Sequence, residues 1–264
     1  MAREAHVSMR GVTRVYPTQN GALHALGPVD LDLMKGEFFA VVGPSGCGKS
    51  TLLEMIAGLA PPSEGSVTFE GRPIGSAVPD GVGVVFQENA CFPWLNVADN
   101  IVFGLRRLPA PKDEVARRLD QALGLMGLRD FAAAYPAQLS GGMRQRVCIA
   151  RTLVTQPRLI LLDEPFGALD QQTRLLMGDE LLNLWRATGA TVLLITHALD
   201  EAVMLADRVA VMSSRPGRIL ETIDTGWSAD RDSRIVSDPA FGAVTGRLWS
   251  LLRGQSAHAL GPAD

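Results

Sequence analysis

Residues Gly43 to Thr51 read GPSGCGKST, between an apolar run, EFFAVVG, and a run with apolar residues at helical spacing, KSTLLEMIAG. The pattern is G-x-x-x-x-G-K-[ST], whose chemistry requires a strand, a loop and a helix in that order. Gly43, Gly46 and Gly48 carry no side chain, so backbone N–H groups can curl around phosphate oxygens, with Pro44, Ser45 and Cys47 completing the loop. The helix start adds a positive partial charge. Lys49 is placed to reach β and γ phosphates, and the Ser50 hydroxyl, beside Thr51, to ligate Mg²⁺. Position 47 is expected to accept many side chains, because such a cradle works through backbone groups. The plainer reading, a glycine-rich loop closing onto a helix, is outweighed because the strand and helix context is met.

Around this loop, HVSMRGVTRVY and VDLDL read as short β-leaning runs, and GSVTFEGRPI as a hairpin strand. From about Glu88 to Gln156 the β-branched runs nearly vanish, and EVARRLDQALGLMGL and MRQRVCIARTLVT show helical periodicity. Alternation then returns. RLILLDE, TVLLITH and DRVAVMS read as strands, with QQTRLLMGDELLNLWRAT and ALDEAVMLA as helices between them. Apolar strands alternating with amphipathic helices predict an α/β fold whose parallel sheet is covered on both faces. Ligands in such folds bind at the carboxyl ends of the strands. The expected organisation is one domain over 1–264, with a catalytic core from 1–87 and 157–226 that carries an N-terminal antiparallel β portion. An inserted helical section occupies 88–156, and a polar, then weakly helical tail occupies 227–264. No regulatory domain is expected after Leu220.

Charge narrows the partners. Acidic residues number 28 against 25 basic ones, a formal net charge of −3, without the positive field that draws a chain onto nucleic acid. Cys47, Cys91 and Cys148 are three in number at wide spacings, which makes neither a disulfide framework nor a zinc pattern. The scattered His6, His24, His197 and His258 add no ligand spacing. The start, MAREAHVSMRG, lacks an apolar leader core, and no run approaches the ~18 apolar residues of a membrane span. The expectation is a cytoplasmic protein that meets a membrane through a partner.

Two further stretches carry chemistry. RLILLDEP ends an apolar strand on neighbouring carboxylates, of which Asp163 can hold a metal ion through water while Glu164 orients and deprotonates an attacking water. LSGGMRQR, from Leu139 to Arg146, puts two glycines in the first turn of a helix. Each costs about 1 kcal/mol against alanine inside a helix. Ser140 as a plain N-cap accounts for the serine alone, and no Glu or Gln follows at the third position to complete a capping box. Close approach of a phosphate to bare backbone accounts for Ser140, Gly141 and Gly142 together.

Over roughly Val7 to Leu220 the chain resembles the ATP-binding subunits of ABC transporters. LSGGMRQR resembles the family's signature, VVFQENA its Q-loop, GALD its D-loop and LLITHALDEA its H-loop. The resemblance implies a P-loop NTPase core and an ATPase that uses ATP and Mg²⁺. In it Glu164 serves the attacking water, His197 contacts the γ-phosphate, and Gln87 contributes to the metal and water site. Asp170 reaches across a dimer, and Tyr16, in VTRVYPT, stacks on adenine. Two copies pack head to tail, the signature helix of one facing the phosphate cradle of the other, so the second glycine loop serves the partner's ATP.

ENACFPWLNVADNIVFGL resembles importers of the nitrate, sulfonate and taurine type, although Ala90-Cys91-Phe92 replaces the more common leucine-rich triplet. That likeness implies integral membrane permease subunits as partners, a solute-binding protein acting indirectly, and a place at the cytoplasmic face of the bacterial inner membrane. Phe92, Pro93 and Trp94 stand either in the core or in a groove that receives a permease helix. Two competing functions are weaker. A soluble ABC-type mechanical ATPase would carry a long coiled coil or a second cassette, and a small-molecule phosphotransferase leaves LSGG, Asp170 and His197 without a role.

Overall fold

A long antiparallel hairpin, β1 (Ala5–Thr18) and β2 (Gly21–Met34), opens the chain and leads into β3 (Phe38–Val42) and α1 (Lys49–Ile56). Next come β4 (Glu64–Phe69), β5 (Arg72–Pro73) and β6 (Val82–Val85), then α2 (Val97–Val102), α3 (Lys112–Leu125) and α4 (Gly141–Leu153). Strict alternation follows through β7 (Leu159–Asp163), α5 (Gln171–Thr188), β8 (Thr191–Thr196), α6 (Leu199–Leu205) and β9 (Arg208–Met212). The last elements are β10 (Ile219–Asp224) and α7 (Pro239–Ala259). This computed structural model describes residues 4–19, 21–87, 90–107, 111–167 and 169–259. Glu88, where the sequence places the start of the helical section, and Ala168 of GALD lie outside them.

Among the described residues the strands form two sheets, one antiparallel in the order β2-β1-β4-β5 and one in the order β10-β9-β3-β8-β7-β6. In the second sheet every pairing is parallel except that of the edge strand β10 with β9. Its central strands β3, β7 and β8 are buried at every position, as expected of parallel strands covered on both faces. Because side chains alternate faces along a strand, one apolar run feeds two cores. Phe38, Ala40, Val42, Ile160, Leu162, Val192 and Leu194 pack against Val147 and Ile149 of α4, Leu181 and Trp185 of α5 and Val203 of α6. Phe39, Val41, Leu159, Leu161, Leu193 and Ile195 pack against Leu52 and Met55 of α1 and the antiparallel sheet. The fold is α/β, with the antiparallel sheet and α1 on one face and the helices on the other.

The sheet order decides what meets at the carboxyl ends. Reading β3-β8-β7-β6, the ends carry the Gly43 loop, His197, the Asp163–Glu164 pair and, just past β6, Gln87. Neighbouring strands lie about 4.8 Å apart, so these groups share one rim.

The tail is part of the fold. Arg231, 4% exposed, donates to Asp207 Oδ1 at 2.8 Å and lies over the Trp185 ring, while burial pushes its own pKa down. Trp227 Nε1 donates to Val203 O, Ser233 bonds Asp179 through its N–H and its hydroxyl, and Phe241 and Leu248 of α7 are buried. Of Phe92 to Trp94, Trp94 lies outside the core at 70% exposure, and Phe92, partly buried, makes tilted ring contacts with it and with Phe103.

Candidate functional site

The Gly43 loop turns from β3 into α1 through backbone that side chains rarely permit. Gly46 has φ +71° and Gly48, the N-cap of α1, φ +103°. A Cβ at Gly48 would stand 2.9 Å from Ala25 O, so the loop folds tightly against β2 only with glycine there. The first N–H groups of α1 have no partner one turn earlier, and they open towards the cleft. Lys49 is 7% exposed, and its Nζ donates to Gly43 O at 2.9 Å and Pro44 O at 3.0 Å. The ammonium is thus held at the loop it would share with a phosphate.

Position 47 departs from expectation. The Cys47 thiol is 1% exposed, packs in the core beneath the loop, and burial pushes its pKa up. A larger side chain there would press on Gly43, whose own Cβ would already approach Cys47 Sγ to 2.9 Å.

At the end of β7 Asp163 is 7% exposed, and burial, reinforced by the charge of Glu164, holds its pKa above the usual carboxylate range while Ser50 and Lys49 oppose that shift. Its Oδ1 is buried without a hydrogen-bond partner, and the Ser50 hydroxyl is near enough to favour the charged form of the same carboxylate. A hydroxyl and a carboxylate with an orphaned oxygen form a hard-oxygen set that fits Mg²⁺, an ion bound by one or two carboxylates together with phosphates. Glu164 follows with φ +47°, a left-handed conformation that costs a non-glycine residue on the order of 1–2 kcal/mol. Its N–H donates to Ile195 O at 2.8 Å, which anchors the strained residue to β8. The strain turns its carboxylate along the rim. Gln87 Nε2 donates to Glu164 Oε2 at 3.0 Å, and His197 Nδ1 stands 3.2 Å from the same oxygen.

These groups border a cleft of about 550 Å³ lined by Tyr16, Ser45, Gly46, Gly48, Lys49, Ser50, Thr51, Gln87, Glu164 and His197. Gly43, Pro44, Cys47 and Asp163 lie behind that wall. Tyr16 and Leu23 face each other across the hairpin and close its far end, with the Arg14 guanidinium on one face of the tyrosine ring at 4.5 Å. Sequence reasoning missed Arg215. It also lines the cleft, and its Nε and Nη2 donate to Gly46 O at 3.2 and 3.0 Å. Its only sequence signal was an arginine shortly after an apolar strand in that fold.

Ser140, Gly141, Gly142 and Asp170 are not among the residues lining this cleft. Ser140 caps α4 by accepting from Met143 N at 3.2 Å. Asp170 caps α5, accepting from Thr173 N and Thr173 Oγ1, which hold its carboxyl below the usual range. The two glycines have different surroundings. A Cβ on Gly142 would meet Leu169 Cδ2 at 2.8 Å, a contact with the end of a side chain that a rotation can relieve. Gly141 has open space, the nearest atom being Arg144 Nη2 at 3.9 Å, and it leaves bare backbone at the exposed start of α4.

A family model described as ABC transporter matches residues 26–167. The nitrate import ATP-binding protein NrtD of Synechocystis sp. is 40% identical, over 96% of this chain and 97% of that protein. The taurine import ATP-binding protein TauB of Burkholderia pseudomallei is 46% identical over 82% and 83%, and the bicarbonate transport ATP-binding protein CmpD of Synechocystis sp. 42% over 96% and 91%. Among solved structures, the ATP-binding cassette MJ0796, in a dimeric post-hydrolysis state bound to ADP and Pi, aligns with TM-score 0.75 at 31% identity, covering 84% of this chain and 100% of that one. The cbiO1 structure from Clostridium perfringens, part of the ABC transporter complex cbiONQ, aligns with TM-score 0.77 at 26% identity over 96% and 99%.

Proposed function

This chain belongs to the ABC transporter family, and on that premise we propose that it is the ATP-hydrolysing subunit of an importer, working as two identical copies that clasp ATP between them. The observation that carries the reading is the convergence of Gln87 and His197 on Glu164 Oε2 at the mouth of the cleft formed by the Gly43 loop.

The triphosphate lies along the loop, where the N–H groups of Ser45 to Thr51 and the Lys49 ammonium meet the β and γ phosphates. Ser50 and Asp163, with Gln87 alongside, would hold Mg²⁺, which would supply positive charge against the phosphates. Glu164 accepts the proton of the attacking water as its oxygen bonds to the γ-phosphorus and the bond to ADP breaks. Gln87 and His197 fix the direction of that carboxylate, and His197, 61% exposed, is free to contact the γ-phosphate. Tyr16 presents its ring to adenine. Because Ser140 to Gly142 do not line their own chain's cleft, the start of α4 with bare Gly141 serves the nucleotide of the second copy, and Asp170 lies beside that contact.

Among the described residues no helix is long and apolar enough to cross a membrane. Coupling therefore goes through permease subunits docked at Trp94 and its aromatic neighbours, with this chain at the cytoplasmic face of the inner membrane. The imported solute is nitrate, a sulfonate, taurine or a related small solute, as the names of the similar proteins support, and a solute-binding protein delivers it. Glu164→Gln tests the reading. Magnesium ATP should still bind, a dimer should accumulate in size-exclusion chromatography with light scattering, and turnover should fall about 10²–10⁴-fold. Hydrolysis close to wild type removes Glu164 from the role, and a Glu164→Gln variant that stays strictly monomeric in saturating magnesium ATP ends the two-copy reading.

A further inference from the structure

Cys91 and Cys148 are 57 positions apart, yet their Sγ atoms lie 3.5 Å from each other. Cys91, partly buried, belongs to the segment that follows Gln87, and Cys148 sits on α4, whose N-cap is Ser140. Cys91 Sγ also donates to Arg144 O, one turn earlier on that helix, at 3.3 Å. The contact is built in from both sides. Arg151 Nη1 donates to Ala90 O at 2.8 Å, and its guanidinium lies 4.9 Å from the centre of the Phe92 ring. Asn100, fully buried, donates to the carbonyls of Phe92, Leu95 and Asn96 and accepts from Phe92 N, which holds the next turn of the segment in place.

Two packed cysteines can be plain small hydrophobes. The electrostatics here favour chemistry. Contact with the Cys91 sulfur, helped by the charge of Arg151, pulls the Cys148 thiol down against the opposing effect of burial, while Cys91 is pushed up. Each thiol thus has the other sulfur within 3.5 Å, the arrangement of a pair that can be joined. Cys148 and Cys47 are both buried, at 4% and 1% exposure, but Cys148 has the partly buried Cys91 at 3.5 Å, whereas burial alone leads the causes that push the Cys47 thiol up.

We propose that Cys91 and Cys148 are an oxidation site, converted by a small peroxide to a disulfide that ties the segment after Gln87 to α4, and restored by thiol reductants. The Cys148 thiolate attacks one peroxide oxygen, the O–O bond breaks, and the departing hydroxide takes up the proton that Cys148 had released. This leaves a sulfenic acid on Cys148 and one water. Cys91 Sγ then attacks the Cys148 sulfur, the S–S bond forms as the S–O bond breaks, and the hydroxyl leaves as a second water with the Cys91 proton. Both sulfurs are oxidised and the peroxide is reduced. A disulfide needs its sulfurs about 2.05 Å apart, so forming the bond draws the pair together from 3.5 Å. With the bond made, a covalent link is added to the contacts that hold Ala90 to Phe92 against α4, stiffening the join between the two, which slows ATP turnover. That consequence rests on the function proposed above; the bond itself does not.

The test uses the full chain treated with hydrogen peroxide, followed by alkylation, peptide mass mapping and thiol titration in denaturant. The expected result is one Cys91–Cys148 linkage, loss of two of the three free thiols, and full recovery with dithiothreitol. Cys91→Ser and Cys148→Ser should each abolish the linkage and keep Cys47 free. ATP turnover should fall severalfold in the oxidised wild type, recover on reduction, and stay unresponsive to peroxide in Cys91→Ser. Thiols that remain free, or Cys148 that stops at sulfinic acid with no linkage, overturn the site. Undiminished turnover in fully linked protein overturns the link to catalysis, and the mass map reads the bond whether or not the chain hydrolyses ATP.

Discussion

Replacing Glu201 by glutamine should flatten the fall of stability between about pH 5 and pH 8. Glu201 opens α6 and is 5% exposed. Its Oε2 accepts from Thr196 Oγ1 at 2.7 Å, and the same hydroxyl accepts from Ala198 N at 3.0 Å, so the carboxyl pins the residues on both sides of His197. Burial is the main cause that raises it from 4.5 to about 7; Glu164 adds to the rise, whereas Thr196, Arg174 and His197 oppose it. The unfolded chain releases this proton near 4.5 and the folded one holds it to about 7. Across that interval the native state carries one more proton, and stability drops about 1.36 kcal/mol for each pH unit. The contribution is therefore complete below 4.5, is lost as pH rises through about 7, and amounts to about 3 kcal/mol when lost in full.

Glutamine keeps the acceptor for Thr196 and has no proton to release. Its amide nitrogen meets the buried position where Glu201 Oε1 has no partner, at a pH-independent cost of about 1–3 kcal/mol. The signal is therefore a change in the gap between the two proteins. Urea unfolding at both ends of the range should show that gap moving in favour of the variant by about 2–3 kcal/mol from pH 5 to pH 8. Asp163, also raised, is present in both proteins and cancels. A gap that stays constant with pH would falsify this account of Glu201.

Three further perturbations probe other parts of the structure. Gly48→Ala places a Cβ 2.9 Å from Ala25 O at φ +103° and should cost at least about 2 kcal/mol while weakening nucleotide binding; a urea midpoint and an ATP affinity equal to wild type would contradict it. Ser140→Arg should leave binding of ATP to single subunits intact, measured by equilibrium fluorescence, and abolish both dimerisation and turnover; normal activity would defeat a role in trans for the start of α4. Leu248→Ala, at a fully buried site on α7, should destabilise by about 2–5 kcal/mol, and a change below about 1 kcal/mol would mean that the tail merely decorates the fold.

What could be read from the amino acids follows the range of the forces involved. The β3–loop–α1 unit was legible because its apolar strand, its glycines and its helix are contiguous, and β7 and β8 because strands buried on both faces are apolar throughout. The far end of the hairpin was not, since positions 17–19 and 21–24 are exposed and carry no apolar alternation. Nor was the docking of the tail, which rests on a buried Arg231 bonded to Asp207, two residues that in sequence look solvated. The bracing of Gly46 by Arg215 and the pairing of Cys91 with Cys148 join residues 169 and 57 positions apart, beyond any local pattern.

The site shows where the boundary lies. Pattern alone placed Gln87, Glu164 and His197 at strand ends, and the crossovers decided their neighbours. Because β7 pairs with β6 on one side and β8 on the other, Glu164 receives Gln87 from one flank and His197 from the opposite one. Had β8 been inserted at the sheet edge, the same three residues would have kept their sequence signatures while the imidazole stood about two strand spacings, ~10 Å, from the carboxylate. The convergence of Gln87 and His197 on Glu164 is thus a property of strand order, and it falls at the left-handed Glu164, whose N–H is anchored on Ile195 O.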